Sequence, residues 1–184
     1  MATATTTIPA GTYVTDHAHT SFGFSVKHLG IATVRGKFTE FDGTLEIGED
    51  LATAKVTGTA KTASIDTGEP QRDEHLRSAD FFDAQANPEL RFESTSVRAL
   101  DDENYAIEGN LTMHAITKPI TLNAEFLGGE VDPYGNDRIA FEITGKLERS
   151  QWEMKFNAAL GSGNMMVSDT VKIAIDVSAI RQAG

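Results

Sequence analysis

Asp16, His17, His19 and His28 form the densest run of side chains able to hold a metal or move a proton. Two imidazoles in a His-x-His spacing, with a carboxylate just before them, can share one divalent ion. They still need a third fixed ligand, and no second His-x-His or His-x-x-Glu pattern supplies it. A hydrolase could be imagined from Ser21 or Ser64 with His19 and Asp66. The Gly-x-Ser-x-Gly turn that presents a serine nucleophile is missing, however. The plainer expectation is that Asp16 and His19 hydrogen-bond locally at a strand start. An alternative reading, a metal-binding protein or hydrolase, would rest on Asp16, His19 and His28. His28 differs from the others because it ends an apolar stripe, where it could offer a polar partner to a ligand headgroup at a mouth.

The elements that must position these residues show period-2 alternation. Phe22, Phe24, Val26 and His28 share one face of Ser21 to His28, and Val34, Gly36 and Phe38 continue it. Leu45 and Ile47 follow, and Val56, Gly58 and Ala60 share a face of the segment from Lys55 to Ile65. Leu90 and Phe92 come next, then Tyr105, Ile107, Gly109, Leu111 and Met113. Ile120, Leu122, Ala124 and Phe126 form another stripe, as do Phe141, Ile143, Gly145 and Leu147. Val171, Ile173, Ile175 and Val177 form the last. Turn signals are read at Asp42-Gly43, Asp101-Asp102, Lys118-Pro119, Gly128-Gly129 and Asp132 to Gly135. So many one-sided strands suit an all-β, antiparallel sheet closed on itself or folded in two.

Two stretches break the alternation. Glu69 to Ala79 holds helix formers after Pro70 and reads as a short surface helix near residues 70–79. Its Arg72, Asp73 and His75 read as a solvated face, and Phe81 and Phe82 would pin it to a barrel mouth. Ser150 to Met166 is a long connection with some helical turn, and it holds the only Trp and three of the five Met.

Composition narrows the function classes. The 184 residues carry 16 Lys+Arg against 27 Asp+Glu, a net charge of −11, which disfavours nucleic-acid backbones and anionic lipid headgroups. With no cysteine, disulfides, thiolate catalysis and cysteine-ligated zinc are excluded. No phosphate-cradling glycine loop or dinucleotide fingerprint is present, so no cofactor and no enzyme activity are expected. No apolar run approaches the roughly 18 residues of a membrane span, so direct membrane insertion is not expected. Residues 1–10 read as a disordered Thr/Ala tail without secretory features, ahead of a single domain over 11–184, and the expected location is cytoplasmic.

Several runs together resemble the YceI-like family. They are Tyr13-Val-Thr-Asp16 through His19 to His28, Gly36-Lys37-Phe38 with Phe41-x-Gly43, and Ser64-Ile65-Asp66-Thr67. Arg72-Asp73-x-His75-Leu76, Asp80-Phe81-Phe82-Asp83, Gly109 to Lys118 and Val167-Ser168-Asp169 continue the match to about residue 181. Thr20 stands where the family has Ser, Ala115 where it has Gly, and its Arg-x-x-Phe-Gly stretch is only loosely kept as Arg149 to Met154. The resemblance implies an eight-stranded antiparallel lipocalin-like barrel whose apolar interior holds a polyisoprenoid or other long-chain amphiphile. It implies a role in binding, storage or transport of such a lipid. It also implies that Arg72, Asp73 and His75 tie the helix to the barrel. Relatives of this kind are often exported, and homodimers are common among them.

The residues alone leave two interiors open. The stripes of Phe22, Phe24, Val26, Phe38, Ile107, Leu111, Leu122, Phe126, Phe141 and Ile143, ending at His28, could line a ligand tunnel or fill a core. Packing alone leans to the filled core; the resemblance turns the reading to the tunnel. Gly58, Gly109 and Gly145, in phase with apolar residues, could make room for a ligand or ease strand bending.

Overall fold

The computed structural model describes residues 8–163 and 165–183. Eleven strand segments make one sheet that closes on itself. They are β1 (Gly11–Thr15), β2 (Ser21–His28), β3 (Ala32–Phe38), β4 (Phe41–Ile47), β5 (Lys55–Lys61) and β6 (Ile65–Asp66). After them come β7 (Glu89–Ala99), β8 (Asn104–Met113), β9 (Ile116–Val131), β10 (Asp137–Glu148) and β11 (Thr170–Arg181).

β1 and β2 lie end to end along β11, which pairs Thr15 with Ala179 and Ser21 with Asp176. β3 with β4, and β5 with β6, likewise act as kinked single strands, because β3 pairs with β2 and β6 while β4 pairs with β1 and β5. The result is an eight-stranded antiparallel barrel in which each strand neighbours the next, as alternation in nearly every segment requires. The upper end carries the hairpin turn at residues 29–31, the α-helix α1 (Pro70–Arg77) and the connection 149–169. The lower end carries the connections 48–54, 100–103 and 132–136.

Three of the expected turns lie inside strands. Asp42 and Gly43 are in β4, where Gly43 faces Gly58 of β5. Pro119 is in β9 opposite Asn110, and the hairpin turns instead at His114 and Ala115, with φ of 55° and 59°. Gly128 and Gly129 mark a register shift between β9 and β10, with Gly128 at φ 125° and Leu127 turned out to solvent. In a strand a glycine signals a bulge as readily as a turn.

The His114-Ala115 turn holds two left-handed residues, the geometry of a tight hairpin that favours Asn-Gly. A left-handed non-glycine residue costs about 1–2 kcal/mol. Ala115 is exposed, so nothing else depends on its methyl. Ala115→Gly is expected to stabilise by about 1 kcal/mol and raise the melting temperature by roughly 2–4 °C for a chain of this size. An unchanged or lower melting temperature in differential scanning calorimetry contradicts this.

Of the tail expected over 1–10, residues 1–7 lie outside the described residues. Ile8 is in the core at 4% exposed, and Tyr13 donates its hydroxyl to Pro9 O at 2.9 Å. α1 ends at Arg77, close to the expected span. Glu69 caps its first turn by accepting from Gln71 N, and Pro70 occupies the first helical position, where its missing N–H costs no helical bond. No helix among the described residues is long and apolar enough to cross a membrane.

Candidate functional site

A cavity of about 450 Å³ occupies the barrel interior, within the size range of small-molecule sites. Ile8, Tyr13, Ile47, Leu51 and Ala54, all buried, close its lower end. The stripe residues named above line it, Phe126 excepted: Phe22, Phe24, Val26, His28, Phe38, Ile107, Leu111, Leu122, Phe141 and Ile143. Phe126 is half-buried and packs its ring on Phe141, centroids 5.3 Å apart. It stands next to the Leu127 bulge, an irregularity that period-2 counting does not register.

The interior glycines divide. A β-carbon on Gly109 would strike the Phe92 ring and come within 2.6 Å of Glu93 O. One on Gly145 would sit 2.7 Å from Leu122 Cδ2. Those two let neighbouring side chains pack. Gly58 is the open one: a β-carbon there meets only Asp42 O, at 3.8 Å, and the residue borders the cavity.

The lining reaches the surface at the upper end through Lys27, His28 and Arg72. His28 bridges Val167 of the long connection. α1 covers part of this end, with Arg72 exposed as expected of a solvated face, His75 half-buried and Asp73 buried. Asp73, 6% exposed, accepts from Thr67 N at 2.9 Å and Thr67 Oγ1 at 2.5 Å. Arg72 donates to Thr67 Oγ1 and Thr67 O, and Arg77 to Ala63 O and Ile65 O. Those bonds tie helix to barrel. His75, bonded to Asp80 at 2.8 Å, stacks edge-on against Phe156 and Phe81 and borders the cavity. Phe82 packs on Phe38. Alternation could not find Arg72, His75, Phe81, Phe82, Phe156 and Met166, because none lies on a strand. Arg72, His75, Phe81 and Phe82 stand out instead in the runs that resemble the family, and Phe156 and Met166 only as members of the long connection.

Asp16 and His19 bond locally, as expected, at 2.7 Å, but Asp16 also takes Arg138 Nη1 at 2.7 Å. Arg138 Nε reaches Asp132 Oδ2 at 2.7 Å, which fastens the β1–β2 kink to the β9–β10 turn. His17 bonds Phe41 O and Asp42. Among the described residues no three His, Asp or Glu groups come together as a metal site, and His28 is not part of this network. The Asp16–His19–His28 alternative therefore has no shared centre.

The hydrogen bond from Arg138, then that from His19, holds the Asp16 carboxyl down to about 2. The Asn136 backbone and side-chain amides, then Arg138, hold Asp132 well below the usual carboxylate range. A carboxylate depressed in the folded state stabilises fully above its unfolded value, near 4. That stabilisation is lost as pH falls through the folded one. Acid should therefore destabilise the wild type progressively from about pH 4 towards 2. Arg138→Met should be less stable at neutral pH and lose less over that window. Parallel curves for the two proteins in urea titrations at stepped pH contradict the assignment.

A family model, the YceI-like domain, matches residues 13–179. Protein YceI of Escherichia coli is 38% identical over 165 residues, which cover 89% of this chain and 83% of that protein. The crystal structure of the Campylobacter jejuni YCEI protein superposes with a TM-score of 0.73 at 31% identity, covering 91% of this chain and 96% of that one. A polyisoprenoid binding domain from Saccharophagus degradans, implicated in plant cell wall breakdown, has a TM-score of 0.66 at 11% identity. It covers 95% of this chain and all of that one, and at that identity the likeness speaks for the fold alone.

Proposed function

The chain belongs to the YceI-like domain family, and on that premise we propose that it binds a long-chain amphiphilic lipid, of the polyisoprenoid kind, without transforming it. The observation that carries this is the apolar cavity of about 450 Å³ running inside the barrel to a polar upper rim. Burying hydrocarbon contributes roughly 0.8 kcal/mol per CH₂, so a chain in such a cavity needs few polar contacts. The rim supplies those few. Arg72, His75 and His28 offer donors to an anionic or hydroxyl headgroup while the chain lies among Phe22, Phe24, Ile107 and Ile143. The Saccharophagus domain of the same fold, described as polyisoprenoid binding, agrees with this chemistry.

The experiment is organic extraction of the purified protein followed by mass spectrometry. The expected result is a long-chain isoprenoid or similar amphiphile at near-equal molar ratio. The delipidated protein should take up a prenyl alcohol or prenyl phosphate, and compete it against short polar analogues that do not bind. An empty extract together with no uptake overturns the reading.

A further inference from the structure

Over β9, β10, β11, β2 and β3 the outer wall carries a cationic row above an acidic one, with Glu148 above the cationic row and hydrogen-bonded to Thr170 Oγ1 at 2.8 Å. Lys146 of β10 lies directly opposite Lys172 of β11, Lys172 opposite Ser25 of β2, and Ser25 opposite Arg35 of β3. This row runs around the upper part of the wall, and Lys27 stands just above it. Four residues nearer the lower end, Glu125, Glu142 and Asp176 form a second row across β9, β10 and β11. The two rows are about 13 Å apart at the rise of an extended strand. Like charges facing each other across strands are destabilising, and exchanging members between the rows would make favourable pairs instead. Lys27, Arg35, Lys146 and Lys172 are exposed, and none enters an ion pair among the described residues. On a chain of net charge −11, this is a cationic band without acidic partners among the described residues, Lys27 donating only to the Thr33 hydroxyl at 2.8 Å.

Above the band the polar upper rim also carries two exposed apolar side chains. Ile31, at the tip of the β2–β3 hairpin, is 77% exposed, and Met165 is 46% exposed. The two belong to one surface. Leu29 N donates to Met166 O at 2.9 Å, and Ser168 N donates to Lys27 O at 3.0 Å, so the hairpin and residues 165–168 run side by side. His28, Met166 and Val167 of this same rim line the cavity.

We propose that the upper end is a docking surface for an anionic phospholipid bilayer, with Ile31 and Met165 entering the interface and Lys27, Arg35, Lys146 and Lys172 facing the headgroups. The acidic row faces away, so the wall is a dipole that presents the upper rim to a negative surface. Net charge alone argues against anionic membranes; its distribution argues for one orientation on them. Exposed apolar tips beside a cationic band suit a bilayer better than an acidic protein, which would need the charges alone.

Sedimentation with phosphatidylcholine vesicles, with and without about one-third phosphatidylglycerol, tests this at low and physiological salt. Wild type should pellet with the anionic vesicles only, and less at higher salt. Each cation facing the surface contributes roughly fivefold in affinity, so Lys146→Gln with Lys172→Gln should lower binding on the order of 20-fold. These changes remove a like-charge pair and should leave melting equal or higher, which separates docking from folding. Ile31→Ser should lower binding several-fold, and Lys55→Gln, near the lower end, should change nothing. Docking does not depend on what the cavity holds, so Val26→Trp should bind vesicles as wild type does. Equal binding to neutral vesicles overturns the proposal, as does indifference to the lysine substitutions. Sensitivity to the lysines with none to Ile31→Ser marks an electrostatic site for an acidic protein and overturns the bilayer assignment.

Discussion

Val26→Trp and Ala124→Phe are each expected to lower bound lipid by on the order of tenfold or more, while the delipidated proteins melt within a few degrees of wild type. Both positions line the cavity, and neither substitution adds charge. Ala124, 2% exposed, pairs with Tyr105 on one side and Ile143 on the other, so its methyl projects between two larger lining residues. In a core at native density an added ring forces side chains off their rotamers and costs about 1–3 kcal/mol. In a cavity the ring fills space and makes contacts that were absent. The same ring excludes several methylenes of a bound chain, and two of them at roughly 0.8 kcal/mol each already exceed a factor of ten. Gly58→Ala is a milder probe of the same space, since its added β-carbon meets only Asp42 O, at 3.8 Å. The measurements are thermal melts of delipidated protein and uptake of a fluorescent long-chain probe. Strong destabilisation of both ring variants in the delipidated state would sink the cavity, and lipid carriage with it.

The strands were legible because one buried face per strand writes itself as alternation, and a closed barrel has only such faces. Phe22 to His28 and Phe141 to Leu147 could be placed on this basis alone. Kinks and bulges were not legible, because they shift the phase without changing composition. Gly43 and Gly128 looked like turns when they are strand positions, and the true turn at His114-Ala115 carries no glycine at all. The rim was the least legible part. Arg72 and Asp73 are adjacent opposite charges, the usual mark of a solvated surface, yet Asp73 is buried against Thr67. Only the pairing of β6 with β3, distant in sequence, brings the helix down onto the barrel end.

The long connection follows the same logic and carries the second large effect. Arg149 →Met is expected to destabilise the protein by about 3–5 kcal/mol, a large share of the roughly 5–15 kcal/mol that holds a domain folded. Arg149 is 4% exposed. It donates from Nη1 to Met154 O at 2.6 Å, from Nε to Ser168 O at 3.0 Å and from Nη2 to Val167 O at 3.3 Å. Its guanidinium lies 5.7 Å from the centre of the Phe81 ring. One planar fork thus joins both ends of the 154–168 segment and faces Phe81, four residues beyond the end of α1. Methionine keeps much of the volume but leaves Met154 O and Ser168 O without these donors; Val167 O retains Asn157 Nδ2 at 2.7 Å. Hydrogen bonds from a charged donor contribute about 1.5–3 kcal/mol each. Arg149→Lys keeps the charge but not the fork, and should fall between wild type and methionine. Trp152, fully buried and donating to Leu111 O, anchors the start of the segment independently, so the variant should stay folded with a loosened rim. Because Phe156, Met166 and Val167 line the cavity, the loosened segment should also release bound probe faster. A loss below about 1 kcal/mol in urea denaturation, with an unchanged release rate, would show that the segment holds without its arginine.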